Sequence, residues 1–386
     1  MKRIYYDHSG TTPVDESVTA VVAETLQALW GNASSVHSFG REAKAKLEES
    51  REVVANSLGA NPDEIIFTSG GTEADNLALL GLAEFFQDKK RHLITSAIEH
   101  HAVLDVAEYL RDNGWQVTFL GVDSHGLVDP DDVSKAITPE TFLVSVHHVN
   151  NELGTIEPVK EIGAICREMG VLFHTDAVQS FGKIPVNVDD LNIDLLSLSS
   201  HKIYGPKGVG ALYIRRGVKI KPRAHGGGQE SSIRTGTENL PAIVGLAKAV
   251  QICEAEMDDE AIRLTGYRDR LHQGLAERIG DVHLNGHPEK RLPGLLNLSF
   301  PGLEGESLLL AMDLEGIAVS SGSACSAGSL DPSHVLLGIG LDREVAQSTI
   351  RFSLGRANDA EDIERTIDIV PPIVERLRAM APEWTQ

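Results

Sequence analysis

Between about residues 60 and 215, short apolar runs alternate with helical patterns, and no other feature restricts the fold of this chain as strongly. The runs are "EIIFTS", "RHLITSA", "WQVTFLGV", "TFLVSVHHV", "GVLFHTDAV", "DLLSLSS" and "GVGALYIRR". Helical segments such as "EADNLALLGLAEFFQ" and "VKEIGAICREMG" stand between several of them. Parallel strands need a crossover, usually a helix, so this alternation predicts an α/β fold with a mixed, mostly parallel sheet. Only a loop separates the last two runs, which predicts an antiparallel member. Beyond about residue 238, long helical patterns with the strand-like "GLLNLSF", "IAVSSG" and "TIRFSLG" predict a smaller α+β domain.

The 386 residues leave room for one large domain or two ordinary ones. The formal charge of −21, from 56 acidic and 35 basic residues, repels a phosphate backbone, so no nucleic-acid partner is expected. The opening "MKRIYYDHSGTTP" lacks the apolar run of a signal peptide, and no stretch approaches the roughly 20 apolar residues that span a bilayer. Cysteines at 166, 253 and 325 form neither a paired framework nor a C-x-x-C motif. The expectation is a cytoplasmic protein with no membrane association.

Three stretches carry chemistry. In "IIFTSGGTEADN" an apolar strand runs through Ser-Gly-Gly-Thr into a helix, an arrangement that lets backbone amides close on a phosphate. The spacing is not that of a Walker loop, and Thr72 capping the helix is the plainer alternative. In "GVLFHTDAVQSFGKIP" a strand delivers Asp176 at its carboxyl end, where open α/β sheets bind ligands, with Gln179 close behind. In "DLLSLSSHKIYGPKGVG" a strand ends at Ser199-Ser200, followed by His201 and Lys202 and a glycine-proline turn. A lysine placed there can lose solvation and act as a nucleophilic amine toward an aldehyde. A phosphate cradle, a carboxylate for a ring nitrogen and such a lysine, in this order, are the parts of a pyridoxal phosphate site. Cys325 stands apart in "SGSACSAGSLDP", residues 321–332, a run without apolar periodicity that reads as a flexible loop.

The chain resembles the class V, fold type I pyridoxal phosphate enzymes, and among them the cysteine desulfurases of the NifS/IscS type. The likeness runs through "YYDHSGTTPVD", "WGNASSVHSFGREA", "FTSGGTEADN", "IEHHAV", "HHVNNELGTIEP", "HTDAVQSFGKIPV", "SLSSHKIYGPKGVGALYIRR", "HGGGQESSIRTGTEN", "SGSACSAGS" and "IRFSLGR", all in the family's order. Small departures are Gly10 for a common Ala, Trp30 for Phe and Ala33 for Pro.

The resemblance implies a set of roles. Lys202 would attach the cofactor and Asp176 would pair with its ring nitrogen. His100 would stack on the ring and move protons, with His101 a structural neighbour. Gln179 and Asn151 would reach the ring's hydroxyl edge, and Asn151 the substrate as well. Gly71, Thr72, Ser199 and His201 would surround the phosphate, with Thr237 reaching over from the other subunit of a homodimer. Arg351 would clamp the α-carboxylate of L-cysteine, leaving Arg356 to a structural ion pair. Cys325 would take the sulfur as a persulfide and pass it to a scaffold or carrier protein, while Cys166 and Cys253 lie in helical patterns. No resident metal is implied, with Cys325 open to transient contact with an iron–sulfur cluster. The expected division is a large cofactor-binding domain over 15–255 and a small domain made of 1–14 and 256–386.

Overall fold

The computed structural model describes residues 2–321 and 331–380. Cys325 lies outside the described residues. A central seven-stranded sheet has the spatial order Ile65–Thr68, Gly210–Ile214, Leu195–Ser199, Leu172–Asp176, Thr141–Ser145, His92–Ser96, Gln116–Leu120. All of its strands run parallel except Gly210–Ile214, which pairs antiparallel with both neighbours. This is the strand reached from Leu195–Ser199 without a helical crossover, as the short connection predicts.

Apart from Leu172, the inner strands are buried along their whole length, so they read as continuous runs rather than alternating ones. Apolar residues cover both faces of the sheet, one cluster centred on Val144, Phe173 and Leu198, another on Leu79, Leu93 and Leu143.

The chain's longest helix, Leu240–Ile279, packs against Glu16–Ala28 and Ser38–Leu58 on one side and Ala360–Met380 on the other. Its first turn is capped by the Asn239 side chain, which accepts from Ala242 N, and Pro241 occupies a position where a missing N–H costs nothing. A four-stranded antiparallel sheet, ordered Ser320–Ser321, Thr349–Ser353, Leu295–Ser299, His283–Asn285, forms a second core with Leu271, Leu298, Phe352 and Ile367. Ile4–Tyr5 pairs with Ile317–Ala318, so the chain's start joins this second core.

Among the described residues, no helix is long and apolar enough to cross a membrane, and no group of His, Cys, Asp and Glu is arranged to hold a metal ion.

Candidate active site

The six parallel strands of the central sheet end at the same edge, and residues at or beyond five of those ends converge on one cavity of about 480 Å³. After Ile65–Thr68 the chain turns through Ser69 and Gly70 into the helix Gly71–Phe86. Gly70 is the cap and offers no side chain, so Thr72 lies inside the first turn and does not cap the helix. The first N–H groups of the helix therefore face the cavity end of the dipole without a side-chain partner, a ready cradle for an anion. Close packing requires the glycines: a Cβ on Gly71 would sit 2.6 Å from Val178 Cγ2, and one on Gly210 would sit 2.8 Å from Gly70 Cα.

His100 follows the strand His92–Ser96 and caps the helix His101–Asp112, its Nδ1 accepting from Ala102 N at 3.1 Å. That bond makes Nδ1 an acceptor, so the neutral ring carries its hydrogen on Nε2. Asp176 closes its strand, buried but reaching the cavity, with Oδ1 accepting from Val178 N at 2.8 Å. Burial pushes its carboxyl above the ordinary range, and His100 pulls the other way. A buried carboxylate of this kind calls for a cationic partner.

Lys202 ends the short helical turn Ser200–Lys202 directly after Leu195–Ser199. Its Nζ donates to the carbonyls of Ser9 and, at 2.7 Å, Gly10. The N-terminal segment is clamped to this turn, Thr12 N donating to His201 O at 2.9 Å and Tyr204 N to Thr12 Oγ1 at 2.7 Å. His201 Nδ1 lies 3.0 Å from Thr11 Oγ1, and burial together with Lys202 pushes its imidazole down to about 4. Gln179 Nε2 donates to Ser9 O at 3.0 Å.

Arg351 comes from the other sheet, in the middle of Thr349–Ser353 with Asn297 and Ser320 across from it. It is only 2% exposed. Nη1 donates to Asn151 O and Nη2 to Asp7 Oδ1, each at 2.9 Å, while Nε has no hydrogen-bond partner among the described residues.

Gly71, Thr72, His100, Asn151, Asp176, Gln179, Ser199, His201, Lys202 and Arg351 thus line a single cavity. Thr237 does not line it, and sits on a partly exposed glycine-rich segment. Arg356 lies elsewhere, paired with Glu256 and Glu260 and 4.3 Å over the Tyr204 ring.

Sequence reasoning missed Asp7, Asp75 and His147, which line the same cavity. It also missed Lys183, a second half-buried amine whose Nζ donates to Gln179 Oε1 at 3.2 Å and which desolvation and Lys202 push down to about 7. Asp75 lies inside the helix Gly71–Phe86 and Lys183 in a turn, and nothing in the local sequence around Asp7 or His147 shows what the fold brings beside them.

The family profile described as Aminotransferase class-V matches residues 4–366. The chain belongs to the class-V aminotransferases. A relative named Cysteine desulfurase IscS, from Dictyoglomus turgidum, is 51% identical over 388 residues, covering 100% of this chain and 98% of the relative. Another of that name, from Methanosarcina thermophila, is 49% identical over 381 residues, covering 99% and 94%. A solved structure named "NifS-like protein" superposes with a TM-score of 0.92 at 40% identity, covering 97% of this chain and 100% of that one. Another, "SspA in complex with cysteine", gives 0.82 at 40% identity, covering 92% and 99%. This class-V chain therefore has the fold type I architecture and depends on pyridoxal phosphate. Its own residues fit that group: an uncapped helix start between close-packed glycines for a phosphate, a buried carboxyl in need of a cation, and an amine at a strand end.

Proposed function

We propose that the chain is an L-cysteine desulfurase, forming L-alanine and a persulfide on Cys325. The observation that carries this reading is the convergence of Lys202, Asp176, His100 and Arg351 on one cavity, in a chain whose relatives bear that name. Gly71, Thr72, Ser199 and His201 hold the phosphate, Asp176 takes the ring nitrogen, and His100, Gln179 and Asn151 bound the ring. Bound there, pyridoxal phosphate supplies an electron sink for the α-carbon of the substrate.

The chain's residues do the rest. Arg351 binds the α-carboxylate, its guanidinium oriented by Asp7 and Asn151 O. Lys202 Nζ is the base that moves the α-proton. His100, with its hydrogen on Nε2, exchanges a proton with the substrate thiol. The Cys325 thiolate attacks the substrate sulfur: the S–S bond forms as the Cβ–S bond breaks, and the electron pair left at Cβ is taken up with a proton in alanine. Cys166 and Cys253 cannot replace it, since both are buried and burial pushes their thiols up to about 12 and about 11.

The enzyme works as a homodimer in which Thr237 completes the partner's site. In support, Leu26, Trp30, Val36 and Phe39 are exposed apolar side chains, and the Trp30 and Phe39 rings stack at 4.7 Å. The persulfide passes to a scaffold or carrier protein for iron–sulfur assembly or another sulfur acceptor, in the cytoplasm. The division into 15–255 and 1–14 with 256–386 is supported by the separate apolar cluster that joins Ile4 and Tyr6 to residues from Leu264 onward.

Absorption spectra with and without L-cysteine, together with alanine and sulfide assays, test the reading. A cysteine-dependent spectral change with equimolar alanine and sulfur is expected. Keto-acid formation in place of alanine would make the chain a transaminase.

A further inference from the structure

Below Asp176 lies a buried polar cluster that the proposed reaction does not use. His147 stands just beyond the strand Thr141–Ser145, only 3% exposed, on the cavity wall. Its Nδ1 is 2.9 Å from Glu99 Oε1 and its Nε2 is 3.6 Å from Glu157 Oε1. Glu99 also receives the His147 backbone N–H on both oxygens, at 3.0 and 3.1 Å, and the Ser96 hydroxyl at 2.6 Å. Glu157 Oε2 accepts from Val128 N at 2.9 Å, while its Oε1 and both His147 ring nitrogens make no hydrogen bond among the described residues, so the imidazole meets the two carboxyls as close charges. The next residue, His148, donates its backbone N–H to Asp176 O at 2.9 Å, tying this turn to the strand end. From the other side Asp75 faces Asp176, and His174 Nε2 lies 3.5 Å from Asp75 Oδ1.

Four carboxyl groups thus share one water-poor region: Asp75, Glu99, Glu157 and Asp176. Buried carboxylates this close cannot all ionise without a cation among them. His148 and His174 cannot serve, because burial holds both imidazoles neutral, down to about 4. His147 opposes its own burial with two carboxylates, and its imidazole rises to about 9. Burial pushes Asp75 well above the ordinary range and Glu157 up to about 7, whereas Glu99 is held below the ordinary range despite its burial by the charge on His147.

We propose that His147, held between Glu99 and Glu157, is a positioning residue whose buried positive charge, alongside His100 on the same cavity wall, helps keep Asp176 ionised for the cofactor's ring nitrogen. This rests on the role given to Asp176 above. Without the imidazolium, Glu99 and Asp176 repel one another and Asp176 takes up a proton, losing its hold on a protonated ring.

The test uses His147→Gln and Glu99→Gln, each checked for the wild-type fold by circular dichroism. In apoprotein labelled with ¹⁵N-histidine, His147 keeps both ring protons through pH 8 in the wild type and loses one near neutrality in Glu99→Gln. Titration with pyridoxal 5′-phosphate shows about tenfold weaker binding to His147→Gln. The pH midpoint of the visible band moves up by about one unit, since a less protonated ring repels a proton elsewhere on the conjugated group less. A His147 that sheds its second proton below pH 7 in the wild type overturns the inference. So does a folded His147→Gln variant with wild-type affinity and midpoint, even while the wild type binds cofactor and makes alanine. A wild-type chain that fails to bind the cofactor defeats the reading of the site itself, and is thereby told apart.

Discussion

Arg351 Nη2 meets Asp7 Oδ1 at 2.9 Å across a sequence separation of 344 residues, on the wall of the cavity that also holds Lys202. Asp7 and the carbonyl of Asn151 fix the plane of a guanidinium that is itself buried. Asp7→Asn keeps the side-chain shape and removes the charge, so the clamp loosens for the substrate carboxylate. KM for L-cysteine rises about tenfold with kcat little changed, and Arg351→Ala loses far more. Steady-state alanine formation measures both. An unchanged KM in both variants would remove Arg351 from substrate binding.

Two half-buried amines border the site, Lys202 and Lys183. Borohydride reduction of the holoenzyme followed by peptide mapping places the cofactor's mass on Lys202. Lys183, though pushed down to about 7, is engaged by Gln179 and lines a different cavity, behind Ser9. Label found on Lys183 or Lys207 would overturn the assignment.

Cys325→Ala lowers alanine formation at least about 10³-fold, because it removes the attacking thiolate. The spectral change on adding cysteine persists, since Lys202, Asp176 and Arg351 are untouched. Mass spectrometry of the wild type finds the extra sulfur on Cys325. Persulfide on Cys166 or Cys253 in the variant, at the wild-type rate, would sink the scheme.

Acid destabilises the fold over a defined window. Burial pushes His8, His148, His174 and His201 each down to about 4, helped by Lys183 at His8, by His147 at His148 and by Lys202 at His201. Each is therefore neutral in the folded chain and protonates more readily unfolded. Their contribution is fully present above the unfolded value of about 6.5 and is lost as pH falls from there through about 4. Urea unfolding at pH 7, 6 and 5 shows a progressive fall. His8→Asn, at a site whose ring nitrogens have no hydrogen-bond partner among the described residues, flattens that slope.

The segment that carries Thr237 is anchored by a buried pair. Arg51 donates to both oxygens of Glu230, at 2.7 and 2.8 Å, and Phe67 N donates to the same carboxylate at 2.8 Å. Glu230, Ser231 and Ser232 hold φ values of +41°, +55° and +62°, which non-glycine residues adopt only under external support. Arg51→Met leaves Glu230 buried without its partner and costs roughly 3–5 kcal/mol in chemical denaturation. The double variant with Glu230→Met recovers part of that loss.

Much of the molecule was legible in the chain itself. Strand positions, the mixed sheet and its antiparallel member follow from apolar runs and connection lengths, because burial of both sheet faces and crossover geometry act locally. The residues at the strand ends, Asp176, Ser199, His201 and Lys202 among them, were legible for the same reason: a strand's carboxyl end fixes where its next residues emerge. Tertiary structure alone decided what those ends meet. Asp7 reaches Arg351 only because the chain's start joins the second sheet, and His147 is charged only because Glu99 arrives from another strand's end while Glu157 folds back within the same connection. Charge state and guanidinium orientation depend on burial and on partners distant along the chain, and neither is a property of any window of sequence.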